Sequence, residues 1–344
     1  HPGLTVSGGG LYIGGAPPLT VGALSPGAGD VYVYRNLIQG NSAGAGDGGG
    51  IRLQAVNGQD VADNPENTEP NNKNDPPQWY RVELSNNILV DNVAGLAGGG
   101  ISLQDTVAVS IQNNTVANND SVATAGEAFA PGSANESTPQ PGAGVVSRAH
   151  STQLAAASGN IGTFSDPVVF DQNIVWQNRQ FYFWVDTATG CAPGETGCVS
   201  TYGLCPDVAD LLLCPGGNDI VFGEDLAVIG TAGTLAGTDN LLTPAGWTGP
   251  SDPSDLFVSE YFNGSRSSVF QNEINTGIQT PAAFDEGGNF IRPSHGPLSL
   301  TGDYHILSGS DAHDAAGAGL ATDFDTDGRP LGVTYDIGAD EVQE

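Results

Sequence analysis

The sequence lacks methionine altogether and is poor in positive charge, with one lysine (Lys73) and eight arginines against 39 aspartates and glutamates. The formal net charge is −30. Such a chain repels nucleic acids and anionic lipids, and it disfavours polyanionic sugars unless cations bridge the two. It also lacks any run of 18 apolar residues. We therefore expect no nucleic-acid partner and no membrane insertion by this chain.

Cysteine is scarce and confined to one stretch, at Cys191, Cys198, Cys205 and Cys214. The spacing contains no CxxC pair, which disfavours a zinc ribbon, a redox motif or haem attachment. We expect two disulfides that staple a loop in an oxidising compartment, with three connectivities open. The chain begins at His1 without methionine, and we expect a mature or trimmed product whose export signal has been removed.

Glycine is abundant, with 50 residues, yet 38% of the chain is hydrophobic, so tight turns between short strands are expected. Small-residue triplets precede alternating runs at four places: GGGLYI (8–13), GGGIRLQ (48–54), GGGISLQ (98–104) and GAGVVSR (142–148). An Asn-x-apolar-x-x-Asn motif follows each: NLIQGN (36–41), NILVDN (87–92), NTVANN (114–119) and NIVWQN (173–178). The shortest interval is 27 residues, and the longer ones contain polar insertions at 55–80, 121–140 and 149–166. This repeat is typical of a solenoid.

Stacking the copies predicts how each residue type is used. Alternation places Leu11 and Ile13, with their counterparts Ile51, Leu53, Ile101 and Leu103, in an inward apolar column, and Tyr12, Arg52 and Ser102 outside. The asparagines fall in columns of their own, where they can hydrogen-bond to one another and tolerate left-handed turns. The pattern predicts an all-β fold, a right-handed parallel β-helix, because strands one coil apart need a right-handed crossover.

We expect one domain over 1–344. Regular coils occupy 1–185, irregular coils with the cysteine loop occupy 186–284, and a C-terminal coil and cap occupy 285–344. The glycine and asparagine motifs resemble those of bacterial secreted right-handed β-helix proteins. The ending, GDYHILSGSDAHDAAGAGLATDFDTDGRPLGVTYDIGADE (302–341), is similar to that of the surface proteins called choice-of-anchor Q, kin to polymorphic outer-membrane-type repeats. His313 departs from the family pattern, which has an apolar residue there. The resemblance implies a β-helix at the bacterial surface or outside the cell, and no defined reaction.

Two groups of residues are candidates for binding. Asp323, Asp325 and Asp327 stand at i, i+2 and i+4 before a glycine and could converge on calcium, or else form a polar cap that ends the solenoid. Trp176, Tyr182 and Trp184 lie in one aromatic run and could form a platform on which glycans stack. Alternate residues of a strand face the core, so a hydrophobic stack inside the coil is the competing interpretation.

The expected function is that of an exported structural or adhesive protein without catalysis. The alternative is a polysaccharide lyase or glycoside hydrolase on the same scaffold, for which hydrolysis needs two carboxylates about 5–10 Å apart. The acidic 55–80 insertion is typical of a solvated spacer instead. The first glycine motif starts at Gly8 with no cap before it, so we expect the first coil to be covered by a partner or by a second copy, as a homo-oligomer or filament.

Overall fold

The computed structural model describes residues 7–66, 79–129, 137, 142–186, 201–205, 222–244, 255–260 and 302–343. For 182–186, 201–205 and 222–223 it describes the backbone alone. These residues form an all-β structure with mainly parallel sheets, as expected. Helix is limited there to α1 (Gln59–Asp63), α2 (Thr152–Ala155) and a 3₁₀ turn (Gly126–Ala128). No helix in the described chain is long and apolar enough to cross a membrane.

Four sheets contain most of the strands. Sheet 1 consists of β1 (Leu11–Gly14), β5 (Ile51–Gln54), β9 (Ile101–Gln104), β13 (Val145–Arg148) and β20 (Leu226–Ile229). Sheet 2 consists of β2 (Val31–Tyr34), β6 (Arg81–Ser85), β10 (Ala108–Gln112) and β14 (Val169–Asp171). Sheet 3 consists of β3 (Leu37–Gln39), β7 (Ile88–Val90), β11 (Thr115–Ala117), β15 (Ile174–Trp176) and β21 (Leu241–Leu242). Sheet 4 consists of β4 (Ser42–Ala43), β8 (Val93–Ala94), β12 (Asp120–Ser121), β16 (Arg179–Gln180) and β19 (Phe222–Gly223).

The chain passes through sheets 1, 2, 3 and 4 in that order four times, and each passage is called a round here. Neighbouring strands from successive rounds pair in parallel, and β19 alone pairs antiparallel within these sheets. Register is conserved between rounds, so that Ile51 lies opposite Ile101 and Ile88 opposite Thr115. Two antiparallel pairs lie outside the rounds: β17 (Tyr182–Asp186) with β18 (Thr201–Cys205), and β22 (Phe257–Ser259) with β23 (Asp303–Ile306).

The apolar column predicted from alternation is confirmed. Ile51, Leu53, Ile101 and Leu103 are fully buried in one cluster that draws residues from sheets 1, 2 and 3. The outward prediction holds only in part. Tyr12 is half exposed, but Arg52 and Ser102 are buried, because Arg52 Nη1 donates to Ser102 Oγ at 2.6 Å and lies 3.4 Å from Asp47. Polar pairing across rounds therefore covers this outer face.

The predicted asparagine columns are confirmed as two asparagine ladders. In each ladder, an asparagine donates its backbone N–H and its Nδ2 to the Oδ1 of the equivalent asparagine one round later, as Asn87 does to Asn114 at 3.0 Å. Ladder 1 contains Asn36, Asn87, Asn114, Asn173 and Asn240. Ladder 2 contains Asn41, Asn92, Asn119 and Asn178 and ends at Asp225. These bonds satisfy the buried backbone and side-chain amides of the asparagines, which lie between the strands and not within a sheet.

The turn conformation differs from the prediction by one residue. The left-handed residue is the one before each ladder asparagine, as at Asn86, Asn113 and Gln172, and the ladder asparagine itself is not left-handed. The first glycine of each small-residue triplet is also left-handed, with Gly48 at φ +71°. A Cβ on Gly48 would lie 2.5 Å from the carbonyl oxygen of Ile51, so only glycine fits this corner.

The insertions fall where the repeat predicts them, but the first is not a simple solvated spacer. Val61 of α1, Trp79, Val107 and Leu154 of α2 are buried together in a separate small core. Asp60 ties this insertion down, because its Oδ2 accepts from Asn57 and from the backbone of Tyr80. Two insertions from different rounds thus pack on each other beside the sheets.

The C-terminal segment, defined as 302–343, packs on the outer side of sheet 3. Its Tyr304, Ile306 and Ile337 are buried against Ile88 and Ile174. The backbone of this segment is hydrogen-bonded to three successive rounds. Asn86 Nδ2 donates to Thr322 O, Asn113 Nδ2 donates to Gly338 O, and the Gly338 N–H donates to Gln172 O. All of these contacts lie on the flank of the stack. The expectation that this segment caps the end of the solenoid stays a prediction.

Candidate functional site

Within the part of the chain that the structure describes, the first round leaves its end of the apolar core open. Leu11 and Ile13 are only partly buried, whereas Ile51 and Leu53, which pair with them, are fully buried. The first round and its loops also expose six large apolar or aromatic side chains: Tyr12, Leu19, Val21, Tyr32, Tyr34 and Leu37. Tyr12, Tyr32 and Leu37 alternate with inward core residues, so they lie on the outer sides of sheets 1, 2 and 3 around this end. Exposed apolar groups of this kind are a feature of interaction surfaces.

Both asparagine ladders end at this face with unused acceptors. Asn36 and Asn41 donate to the second round, but no described residue donates to their own Oδ1 atoms. At the other end of ladder 1, Asn240 accepts from Asn173 and donates one Nδ2 hydrogen to Phe170 O. Its backbone N–H donates to no described residue. Ladder 1 therefore has a direction: its first asparagine offers an acceptor, and its last asparagine offers donors.

A second site lies in the C-terminal segment, around His305. The Nδ1 atom of His305 lies 2.5 Å from Asp303 Oδ1, and its Nε2 atom lies 2.9 Å from Asp325 Oδ2. One ligand atom each from His305, Asp325 and Asp340 lie within 4.8 Å of one another. The β23 strand supplies His305, the Asp-rich turn supplies Asp325, and the last turn supplies Asp340, whose Oδ2 accepts from the Ile306 amide.

The electrostatics of this cluster follow from burial and from like charges. Burial lowers the pKa of His305, but the bond to Asp303 and the charges of Asp340, Asp303 and Asp325 outweigh it, so the pKa is raised. Burial raises the pKa of Asp340 to about 6, and the neighbouring charge of Asp323 adds to the rise. Burial also raises the pKa of Asp323, with contributions from Asp327 and Asp325. Three carboxylates, those of Asp303, Asp325 and Asp340, thus act on one imidazole.

The predicted calcium trio is not brought together as one group. Only Asp325 of the three joins a cluster of converging ligand atoms among the described residues. Asp323 is buried, and its Oδ1 accepts from the Asp327 amide, as in the polar-turn alternative. Asp327 accepts from the Gln343 side chain. Calcium binding by this trio stays a prediction.

The sequence offered no signal that would join His305, Asp325 and Asp340, because their spacings of 20 and 15 residues match no ligand motif. A second cluster, His313, Asp314 and Asp336, is built differently. Both carboxylate oxygens of Asp336 accept backbone amides, from Asp314 and Val342. Asp314 Oδ1 accepts the Thr334 amide at 2.7 Å. This second cluster therefore serves the turns of the segment.

The remaining sequence-based sites are described only in part. Trp176 is half buried and packs against the apolar cluster between sheet 3 and the C-terminal segment, which favours a packing role for it. The side chains of Tyr182 and Trp184 lie outside the described residues. So do Cys191, Cys198 and Cys214, while Cys205 is described only as backbone in β18. The disulfides stay a prediction.

A groove on sheet 2 can be compared with the pair of carboxylates that a glycoside hydrolase needs. It is lined by Arg81, Glu83, Ser85, Ser110, Gln112 and Leu320, with Glu83 as its one carboxylate. The Tyr34 hydroxyl donates to Glu83 Oε2 at 2.6 Å. Hydrolysis of a glycosidic bond needs two carboxylates, so this groove does not supply the pair.

Comparisons with protein-family models, curated proteins and solved structures find no match for this chain. The family resemblance of the C-terminal segment therefore remains an expectation from its residues.

Proposed function

We propose that this chain is a right-handed parallel β-helix that acts as an exported structural or adhesive protein and assembles end to end through its first round. The repeated passage through four sheets, with parallel neighbours one round apart, supports the β-helix. The right-handed sense rests on the rule that crossovers between parallel strands are right-handed.

The observation that carries this proposal is the open end of the first round. Among the described residues, strands β1 to β4 each have a neighbouring strand on one side only, and their core residues Leu11, Ile13 and Ile38 are only partly buried. An edge with free backbone groups and apolar side chains is a template for another chain. Covering it would bury the half-exposed leucines and isoleucines and pair the free amides and carbonyls.

The occupant we propose is a second copy, placed head to tail. The donors of Asn240 at one end of ladder 1 complement the acceptor of Asn36 at the other, so a second copy continues the ladder. A head-to-head pair would instead place two acceptors against each other. Charge also permits the contact, because residues 7–50 contain only Asp30, Arg35 and Asp47 as charged groups in a chain of net charge −30.

Two features of the sequence support the proposed extracellular location. The C-terminal segment resembles bacterial surface β-helix proteins, and four cysteines in one stretch favour an oxidising compartment. The groove on sheet 2 gives no support to catalysis.

Sedimentation velocity over a wide concentration range tests the assembly. We expect the native chain to form species that grow beyond dimers as concentration rises, more strongly at high salt, since salt screens the repulsion between acidic copies. Ile13→Glu places a charge among the partly buried core residues at the open end and should weaken growth. Asn240→Asp removes the side-chain donor from the opposite end and should do the same.

Val333→Glu is the matched control, because Val333 is 85% exposed but lies in the C-terminal segment. It should assemble like the native chain. A native chain that stays monomeric at every concentration would overturn the proposal, as would an Ile13→Glu variant that assembles normally. Growth that stops at dimers would overturn the head-to-tail arrangement.

A further inference from the structure

We propose that His305, Asp325 and Asp340 form a binding site for a divalent transition ion of the zinc class, with Asp303 as the residue that orients the histidine. The three ligands come from separate parts of the C-terminal segment and converge within 4.8 Å. This inference is independent of the end-to-end assembly, since the site lies on the flank of the stack.

The first argument is the orientation of the imidazole. Asp303 Oδ1 occupies the Nδ1 side of His305 at 2.5 Å, so Nδ1 carries a hydrogen and Nε2 is the atom that faces the other carboxylates. Histidines that bind metals donate their second ring nitrogen to a carboxylate or a carbonyl in the same way, which fixes the tautomer and makes the ring a better ligand. Asp303 is the first residue of β23 and pairs with Ser259 of β22. His305 lies two residues later in the same strand, so the strand backbone positions both side chains on one face.

The second argument is distance. Nε2 of His305 and Oδ2 of Asp325 are 2.9 Å apart. Ligand bonds of about 2.0–2.1 Å to one ion place neighbouring ligand atoms about 3.0–3.4 Å apart. Only a small adjustment of Asp325, which is half exposed, opens the space for an ion.

The third argument comes from Asp323, which is 1% exposed. Its Oδ2 atom is buried and has no hydrogen-bond partner among the described residues. Its charge acts on both Asp325 and Asp340, so it lies beside the cluster. A buried carboxylate oxygen without a partner costs free energy unless a cation or a donor reaches it. A cation held by His305, Asp325 and Asp340 would supply that compensation.

The ligand chemistry selects the class of ion. Calcium takes six to eight oxygen ligands, as three aspartates and carbonyls would offer, whereas an imidazole nitrogen suits zinc and its neighbours in the transition series. One histidine with two carboxylates makes three protein ligands and leaves further positions open to solvent. The side chains of His305 and Asp325 are 36% and 51% exposed, so an ion can enter from the surface.

Isothermal titration of the untagged, chelator-treated chain with Zn²⁺ tests the site, and the visible spectrum of bound Co²⁺ reports whether nitrogen is a ligand. We expect one Zn²⁺ per chain. His305→Gln and Asp325→Asn should each weaken binding at least tenfold, and Asp303→Asn should weaken it about tenfold to a hundredfold. His313→Gln is the matched control, since that histidine belongs to the turn-forming cluster, and it should bind like the native chain.

Asp325 is half exposed, so its variant should keep the fold; equal melting temperatures in chelator would verify this. Absence of stoichiometric Zn²⁺ binding overturns the proposal, and so does native binding by both His305→Gln and Asp325→Asn. Calcium that displaces Zn²⁺ at equal concentration, with loss of binding in Asp327→Asn, would instead establish the aspartate trio as the site.

Discussion

Asn114 donates its Nδ2 hydrogens to Asn173 Oδ1 at 3.1 Å and to Leu84 O at 2.9 Å, so one side chain joins the second, third and fourth rounds. Its own Oδ1 accepts both the backbone N–H and the Nδ2 of Asn87. Every polar atom of this fully buried amide is thus used.

Replacing Asn114 by alanine should be among the more costly single changes in the chain. The substitution removes the oxygen that accepts both the backbone N–H and the Nδ2 of Asn87 in a buried place, and we expect a loss of about 2–4 kcal/mol in the free energy of unfolding. Urea denaturation measures it. Asn36→Ala, at the exposed end of the same ladder, is the control and should cost less than about 1 kcal/mol. Equal costs at the two positions would contradict this account of the ladder.

Gly48→Ala should destabilise the corner before β5. The residue has φ +71°, and a Cβ would collide with the Ile51 carbonyl, so we expect a loss of more than about 1 kcal/mol in thermal or urea denaturation. Gly159→Ala is the matched control, because nothing lies within 4 Å of its Cβ position and its φ is not positive. That variant should be neutral or slightly more stable, by up to about 1 kcal/mol.

Asp120→Ala should remove a carboxylate that makes two hydrogen bonds to the buried guanidinium of Arg179. Arg179 Nε and Nη2 donate to the two oxygens of Asp120 at 2.7 and 2.8 Å. The side chains of Arg179 and Asp120 are only 4% and 1% exposed. We expect a loss of about 3–5 kcal/mol. The double variant with Arg179→Met also removes the buried positive charge and should recover much of the lost free energy of unfolding. A double variant no more stable than Asp120→Ala would contradict this interpretation.

The contribution of Asp91 to the free energy of unfolding should decrease as pH rises. Burial raises its pKa well above the usual value, the bond from Tyr304 opposes the rise, and the charge of Asp120 adds to it. At pH values between the unfolded and the folded pKa, the folded state therefore holds a proton that the unfolded state has released. Its stabilising contribution is complete below pH 4, near the unfolded pKa of about 3.9, and is lost as pH rises through the folded pKa.

The isosteric Asp91→Asn variant carries no such charge and still accepts from Tyr304 Oη through its amide oxygen. Denaturation of both chains between pH 4 and pH 8 should show the variant gaining stability relative to the native chain as pH increases. A stability difference that does not change with pH would show that Asp91 is ionised in the folded state.

The sequence was most informative where one residue type repeats at constant spacing. The asparagines five residues apart in four motifs predicted two columns, and the structure contains both. The glycine corners followed from the same comparison. These features are local to each repeat, so the pattern reveals them without knowledge of distant contacts.

Features that depend on distant contacts were not accessible in this way. Arg52 occupies an outward position, and its burial depends on Ser102 and Asp47, which other parts of the repeat supply. Polarity suggested a solvated first insertion, but Val61 and Trp79 find apolar partners in an insertion about 90 residues later. The cluster at His305 likewise depends on the packing of one strand and two turns, and the spacing of its residues matches no motif.

The position of the C-terminal segment has a consequence for how the chain folds during synthesis. Stacked repeats normally contact only their neighbours, so they can form in the order in which they leave the ribosome and fray from the ends one at a time. Here the C-terminal segment, which is made after all four rounds, hydrogen-bonds to Asn86, Asn113 and Gln172 in three of them. The outer side of sheet 3 in those rounds stays uncovered until this segment has been synthesised. Once docked, the segment makes three otherwise separable units open and close together.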